Sequence, residues 1–204
     1  AMQTNKVLVI DSVSGNTVKN LTITGGDAYY EEEYPYVPYK EGGGIYVFNS
    51  DPLLENLDII NNAATFGGGI SIQNSYAILQ NLTIKDNFAF LQGGGIKIKF
   101  SSPKLYDVMI ENNSTYVNTS LEDRYANGGG LYMIGTDNPI LFQVTIKGNT
   151  SEDKGGGIYM HSCDNPILLN VNIIDNMSNQ HSGGGIFIFD SEPILNFVTI
   201  SNKS

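Results

Sequence analysis

Residues 67–87 read GGGISIQNSYAILQNLTIKDN, and residues 93–113 repeat the same plan as GGGIKIKFSSPKLYDVMIENN. Six such repeats start with three glycines followed by Ile or Leu, at Gly42, Gly67, Gly93, Gly128, Gly155 and Gly183. Successive starts are 25, 26, 35, 27 and 28 residues apart. A period of this length predicts a solenoid, in which no single repeat can bury its own apolar face. Because the period runs from end to end, residues 1–204 are predicted to form one elongated domain.

Two apolar stretches in each repeat alternate with period two, which predicts strands and excludes helices. In the repeat that begins at Gly67, Ile70 and Ile72 point to one side, and Leu79, Leu82 and Ile84 continue the apolar pattern. The other repeats place Ile, Leu, Val or Met at the same positions. Stacking the repeats therefore gives five aliphatic columns, and each buried side chain contributes about 1.5–3 kcal/mol of transfer free energy.

The second apolar stretch is interrupted by a polar residue, which predicts a bend. This residue is Asn20, Asn56, Asn81, Asp107, Gln143 and Asn170 in successive repeats. Asn tolerates left-handed backbone angles, and its amide can bond to the equivalent residue of the next coil. A second column consists of Asn62, Asn87, Asn113, Asn149 and Asn176. These features predict an all-β, single-stranded, right-handed parallel β-helix of about seven coils with three short strands each, roughly 34 Å long at the usual strand spacing.

The GGGI motif and the I-x-x-N spacing, as from Ile84 to Asn87, resemble the repeats of bacterial surface proteins such as the chlamydial polymorphic outer-membrane proteins, which have Phe in place of Ile. More broadly, the pattern is similar to the pectin-lyase-like parallel β-helix superfamily. The resemblance covers about residues 6–201. It implies a secreted or cell-surface bacterial protein, in which the glycine-led strand takes the place of the active-site strand of the lyases.

Two insertions, at residues 27–41 and 114–127, are predicted to enter at the corner before the glycine-led strand. They belong to repeats three coils apart and would stand about 14 Å from each other. Side chains that face outward between and beside them form the predicted binding surface: Tyr46, Phe48, Gln73, Lys97, Lys99, Tyr132 and Tyr159, with Tyr34 and Tyr36 from the first insertion. Tyrosine suits sugar rings and protein surfaces alike. The alternative is that the loop tyrosines only cover an exposed coil.

An outward apolar patch continues along the same face, with Tyr132, Ile134, Tyr159, His161, Phe187 and Phe189. Such patches mark contact sites on solenoids. Three occupants are open at this point: a partner protein, a second copy of the chain in an oligomer, and the insertion at 114–127.

No catalytic residue is predicted. The lyases that the chain resembles typically hold calcium with carboxylates and use Arg or Lys as the base, yet no outward position on the six glycine-led strands is Asp or Glu. Paired carboxylates for glycoside hydrolysis are also missing. Lys97 and Lys99 are expected to be a solvated pair, with an anion contact or catalysis as alternatives. Asp27, Glu31 and Glu33 are candidate calcium ligands, although they lack the ordered spacing of calcium loops.

Composition narrows the partners further. A net charge of −10 and a pI near 4.4 disfavour nucleic acid. No apolar run is long enough to span a membrane. The opening Ala-Met and the final coil suggest a piece excised from a longer protein.

We therefore expect a non-catalytic surface or secreted module, stalk-like or adhesin-like, that binds a glycan or a protein without a cofactor other than calcium. A fragment of a polysaccharide lyase or glycoside hydrolase acting on an acidic polysaccharide, and a purely structural solenoid, are the alternatives.

Overall fold

The computed structural model describes residues 5–28, 40–116 and 125–201. All the regular secondary structure in these ranges is β, arranged as three sheets whose strands pair in parallel from one coil to the next. None of the described residues belongs to a helix that is long and apolar enough to cross a membrane. The predicted all-β parallel architecture is therefore confirmed.

The first sheet is built from the strands that follow the glycine triplets. Its strands are Leu8–Asp11, Ile45–Phe48, Ile70–Gln73, Ile96–Lys99, Leu131–Ile134, Ile158–His161 and Ile186–Phe189. Every pair is in direct register, so that Ile70 lies between Ile45 and Ile96 and the aliphatic residues stack in columns. The predicted first-strand columns are thus confirmed.

The second sheet contains both halves of the second apolar stretch. In the first four coils the two halves form one long strand: Ser14–Thr24, Asp51–Ile60, Ile78–Lys85 and Lys104–Glu111. In the last three coils each half is a separate short strand. The first halves are Ile140–Phe142, Ile167–Leu169 and Ile194–Asn196, and the second halves are Thr145–Lys147, Asn172–Ile174 and Thr199–Ser201. The bend between the halves occurs where the sequence predicts it. Asn56 and Asn81 both have φ of 53°, and the same left-handed angle recurs at Asp107 and Gln143. Asn is enriched there because its short polar side chain tolerates this angle.

The third sheet lies in the segment that the sequence pattern assigned to a variable loop. Its strands are Asp27–Ala28, Ala63–Phe66, Phe88–Gln92, Ser114–Thr115, Thr150–Ser151 and Met177–Ser178. The pattern predicts a third strand within the second apolar stretch, but that part belongs to the second sheet. These short strands escape detection because their buried positions hold small residues such as Ala64, Ala89 and Ser151 and carry no aliphatic alternation. The predicted insertions consequently begin with residues of this sheet.

The glycine triplets form the corner between the third and first sheets. The first glycine of each triplet has a positive φ, for example +67° at Gly93. At the second position, a Cβ on Gly94 would lie 2.4 Å from the carbonyl oxygens of Gly129 and Ser114. The triplets also bond to one another, with Gly94 N–H donating to Gly128 O at 3.2 Å. Only glycine allows backbones to approach this closely.

The aliphatic columns fill the interior as predicted. Ile72, Leu79 and Ile98 are fully buried, and they belong to one continuous cluster that runs through the coils. The last coil differs, because Ile188 is 40 % exposed in the same column. Each coil is therefore buried by its neighbours rather than by its own residues, as expected for a solenoid.

The second Asn column forms a buried ladder between the second and third sheets. In each step the side-chain Nδ2 donates to Oδ1 of the next Asn at 3.0 Å, through Asn62, Asn87, Asn113, Asn149 and Asn176. The side chains also bond to backbone groups, as where Asn113 Nδ2 donates to Ile84 O at 2.9 Å. Amide stacking was predicted for the first Asn column, where it is confirmed, and the buried ladder of the second column was not predicted. In the first column, Asn81 Nδ2 donates to Asn56 Oδ1 at 2.7 Å on an exposed surface.

Candidate functional site

The outer surface of the first sheet carries two parallel rows of side chains, because alternate residues of a strand face outward. The second-position row consists of Val9, Tyr46, Ser71, Lys97, Tyr132, Tyr159 and Phe187. The fourth-position row consists of Asp11, Phe48, Gln73, Lys99, Ile134, His161 and Phe189. The predicted binding residues of the described ranges are divided between these two rows.

The middle of the second-position row is covered. Ser71 is fully buried, and Lys97 and Tyr132 are each only 4 % exposed. A small apolar cluster of Phe66, Phe90, Leu91 and Ala126 is buried separately from the main core, and Nζ of Lys97 lies 3.7 Å from the centre of the Phe66 ring. A molecule on the surface would not reach these three side chains without displacing their cover.

The buried Lys97 forms an ion pair with the partly buried Glu41. Its Nζ donates to Glu41 Oε1 at 2.8 Å, and Ser71 Oγ donates to the other carboxylate oxygen, Oε2, at 2.6 Å. Loss of hydration on burial lowers the pKa of Lys97, and the Glu41 charge opposes this decrease. The expectation of a solvated Lys97 was therefore wrong. It failed because Glu41 precedes Gly42, two coils away from Lys97, and no spacing in the sequence indicates that its side chain reaches across.

Aromatic rings stack on one another farther along the second-position row. Tyr132 and Tyr159 have ring centroids 4.9 Å apart at 2°, and Tyr159 and Phe187 are 5.3 Å apart at 11°. Both faces of the Tyr159 ring are thus occupied by neighbouring rings. Burial raises the pKa of Tyr132 and, less strongly, that of Tyr159, where the charge of Asp153 adds to the effect. Within this row, Tyr159 therefore presents the edge of its ring to a ligand and not its faces.

The fourth-position row is more accessible. Phe48, Gln73 and Lys99 are partly exposed, and Phe189 at the far end is 55 % exposed. The ring centroids of Phe189 and His161 are 4.9 Å apart. This row therefore combines aromatic, amide, imidazole and ammonium groups, and it runs across the strands near their carboxyl ends.

At the end of the sheet nearest the N-terminus, Tyr46 connects the second-position row with the fourth-position row. The Tyr46 and Phe48 rings are stacked with centroids 6.1 Å apart. Lys6 places its Nζ 4.0 Å from the centre of the Tyr46 ring, a cation–π geometry. Burial, with the nearby Glu41 and Asp11 charges, raises the pKa of the Tyr46 hydroxyl.

The predicted calcium ligands are only partly within the described ranges. Asp27 begins a strand of the third sheet and exchanges backbone hydrogen bonds with Asn5. Glu31 and Glu33 lie outside the described residues, as do Tyr34 and Tyr36. Elsewhere in 5–28, 40–116 and 125–201, no group of three or more His, Cys, Asp or Glu is placed to hold a metal ion. Calcium binding stays a prediction.

A second close polar contact, which the sequence did not indicate, lies at the same corner of a later coil. His181 Nδ1 is 2.6 Å from Oδ1 of the buried Asp153. The adjacent Glu152 accepts hydrogen bonds from Asn179 Nδ2 at 2.8 Å and Gln180 Nε2 at 2.7 Å. These contacts join two successive turns ahead of the glycine triplets.

Comparison with known proteins agrees with this architecture. The family described as "Right handed beta helix region" matches residues 2–120 and 67–204, which together span nearly the whole chain. No curated protein and no solved structure matches the chain. The three parallel sheets, the register of their columns and this match lead to one conclusion: the chain belongs to the right-handed β-helix family.

Proposed function

We propose that this chain is a non-catalytic module of a bacterial secreted or cell-surface protein, and that it binds a glycan through the fourth-position row of the first sheet. The single observation that carries the proposal is the partial exposure of this row from Phe48 to Phe189, in continuous register. At the usual strand spacing of about 4.8 Å, the row offers an extended track to a polymer.

The chemistry of the row supports carbohydrate as the ligand. Sugar recognition uses aromatic surfaces together with polar groups that fix the hydroxyls, and the row supplies Phe48 and Phe189 for the first and Gln73, Lys99 and His161 for the second. A protein surface is the other ligand that this chemistry accommodates. The surface location rests on the resemblance of the GGGI and I-x-x-N repeats to those of bacterial surface proteins.

The state of Lys97 argues against its acting as a catalytic base. A general base must reach the proton that it removes, within hydrogen-bonding distance. Lys97 instead lies beneath its cover and donates to Glu41. A fragment of a lyase acting on acidic polysaccharide is the rival function, and formation of an unsaturated product that absorbs in the ultraviolet would establish it.

A glycan array tests the proposal directly. The wild-type chain should bind a subset of glycans, and Lys99→Ala and Phe189→Ala should each weaken that binding about tenfold. Met109→Ala is the matched control, because Met109 is an exposed residue on the second sheet. Equal loss in the control would point to instability. The absence of any specific glycan would favour a protein ligand or a purely structural solenoid, and a pull-down with immobilised chain would separate those two.

A further inference from the structure

We propose that Lys97, Ser71 and the ring of Phe66 form a binding site for a carboxylate, and that the chain's own Glu41 occupies this site as an exchangeable internal ligand. The inference goes beyond the proposed function, because the site belongs to the covered second-position row and the glycan track belongs to the fourth-position row. Either can fail without the other.

The geometry is that of a carboxylate receptor. Each oxygen of the Glu41 carboxylate has its own donor, the Lys97 ammonium at 2.8 Å and the Ser71 hydroxyl at 2.6 Å. Charge-assisted bonds of this length are among the stronger ones in proteins. The Phe66 ring lies on the ammonium at 3.7 Å and adds a cation–π contact. The receptor groups come from strands Ala63–Phe66, Ile70–Gln73 and Ile96–Lys99, which the sheets hold in place.

Glu41, the occupant, lies outside the strands that carry the receptor residues Lys97, Ser71 and Phe66. Glu41 belongs to no strand, and its backbone joins the third sheet only through an isolated bridge to Phe66. It lies between Lys40 and the triplet that begins at Gly42. The Glu41 side chain is 15 % exposed, so rotation of this one side chain can vacate the site while the three receptor groups stay on their strands.

Electrostatics explain why an occupant of this kind is required. Lys97 is nearly inaccessible to water, so an empty site would leave its ammonium desolvated and without a counter-charge. A carboxylate from another molecule would satisfy the same two donors. In the wild-type chain it would compete with Glu41, whose tether gives a high effective concentration.

Chemical rescue tests the site. Glu41→Ala vacates it, and we expect Tm to fall by roughly 10 °C because the buried Lys97 loses its ion-pair partner. Thermal unfolding is then followed in sodium acetate and in sodium chloride at equal ionic strength. Acetate should raise the Tm of Glu41→Ala by at least about 3 °C more than chloride does, since a ligand that binds only the folded state stabilises it. Formate should act in the same way, and the bulkier benzoate should not.

Two controls decide the interpretation. The wild-type chain, whose site is filled, and the double variant Glu41→Ala/Lys97→Met, which lacks the ammonium, should show no difference between acetate and chloride. An equal acetate effect in all three proteins would overturn the proposal. If Glu41→Ala does not purify in a folded state, the same contrast is measured as the refolded yield from urea in the two salts. Equal yields would then count against a carboxylate site, and a higher yield in acetate would support it.

Discussion

Asn87 donates both its backbone N–H and its side-chain amide to Oδ1 of Asn113, each at 3.0 Å. Asn113 in turn donates to Ile84 O and to Asn149 Oδ1, so one buried side chain serves three neighbouring coils. The ladder thereby satisfies backbone groups at a corner where the chain leaves its sheet and no backbone partner faces them.

Replacing Asn113 by Ala should destabilise the fold strongly. The change leaves donors of Asn87 and the Ile84 carbonyl buried without partners, and each such group costs about 1–3 kcal/mol. We expect a loss of about 3 kcal/mol in the free energy of unfolding, measured by urea denaturation. Asn81→Gly is the control, because the exposed Asn81 has a positive φ that Gly adopts freely. A loss of less than about 1 kcal/mol for Asn113→Ala would contradict a structural role for the ladder.

Gly94→Ala should be among the most damaging single-methyl additions in the chain. The added Cβ would lie 2.4 Å from the carbonyl oxygens of Gly129 and Ser114. The backbone segments that carry these two oxygens would have to move apart to make room for the methyl group. A loss of 3 kcal/mol or more is expected, at about the level of severe overpacking. Gly15→Ala provides the comparison, since Gly15 has φ +70° but nothing within 4 Å of the added atom. Its cost should be limited to the strain of the backbone angle, about 1 kcal/mol.

Two Ile residues of one aliphatic column should respond differently to truncation. Ile98 is completely buried, whereas Ile188 in the last coil is 40 % exposed. Ile98→Ala should therefore cost about 3–4 kcal/mol through lost transfer energy and a cavity. Ile188→Ala should cost about 1 kcal/mol. Chemical denaturation of both variants provides the measurement, and similar losses would argue that the last coil is packed as tightly as the centre.

Tyr132 should make the fold sensitive to alkali. Because burial raises the pKa of its hydroxyl, the folded state keeps a proton that the unfolded state loses above about pH 10. The unfolded state then binds fewer protons, so stability falls as pH rises, by at most about 1.4 kcal/mol per pH unit for this group. Tyr132→Phe should reduce that fall, as measured by urea denaturation between pH 9 and pH 11. The exposed Tyr76→Phe is the control, and an identical slope in both variants would count against the prediction.

The repetition in the sequence is sufficient to predict most of the fold. Stacked coils bury equivalent positions together, so the period-two alternation of residues such as Ile70 and Ile72 already specifies a strand with one buried face. The left-handed bend at Asn81 was likewise predictable, because residue type there reflects a local backbone requirement. The third sheet was not, since its buried Ala64 and Ser151 carry no hydrophobic period.

The candidate site was much less predictable than the fold. Lys97 lies on the outer face of the first sheet, as the period-two alternation of its strand predicts. Its burial, however, depends on Glu41 and Phe66, which reach it from other coils at a corner where the chain length varies. The mutual stacking of Tyr132 and Tyr159 also depends on side-chain rotamers, which the spacing of residues does not determine.

The corner ahead of the glycine triplets has a practical consequence. Phe66 leads directly into Gly67, whereas residues 29–41 separate Ala28 from Gly42, and the sheets on either side keep the same register in both coils. Coil stacking therefore tolerates extra chain at this position and nowhere else to the same degree. A foreign peptide inserted at this corner of the coil that begins at Gly42, which already carries extra chain, should leave the stacking intact, and this makes the corner a graft point for engineered epitopes.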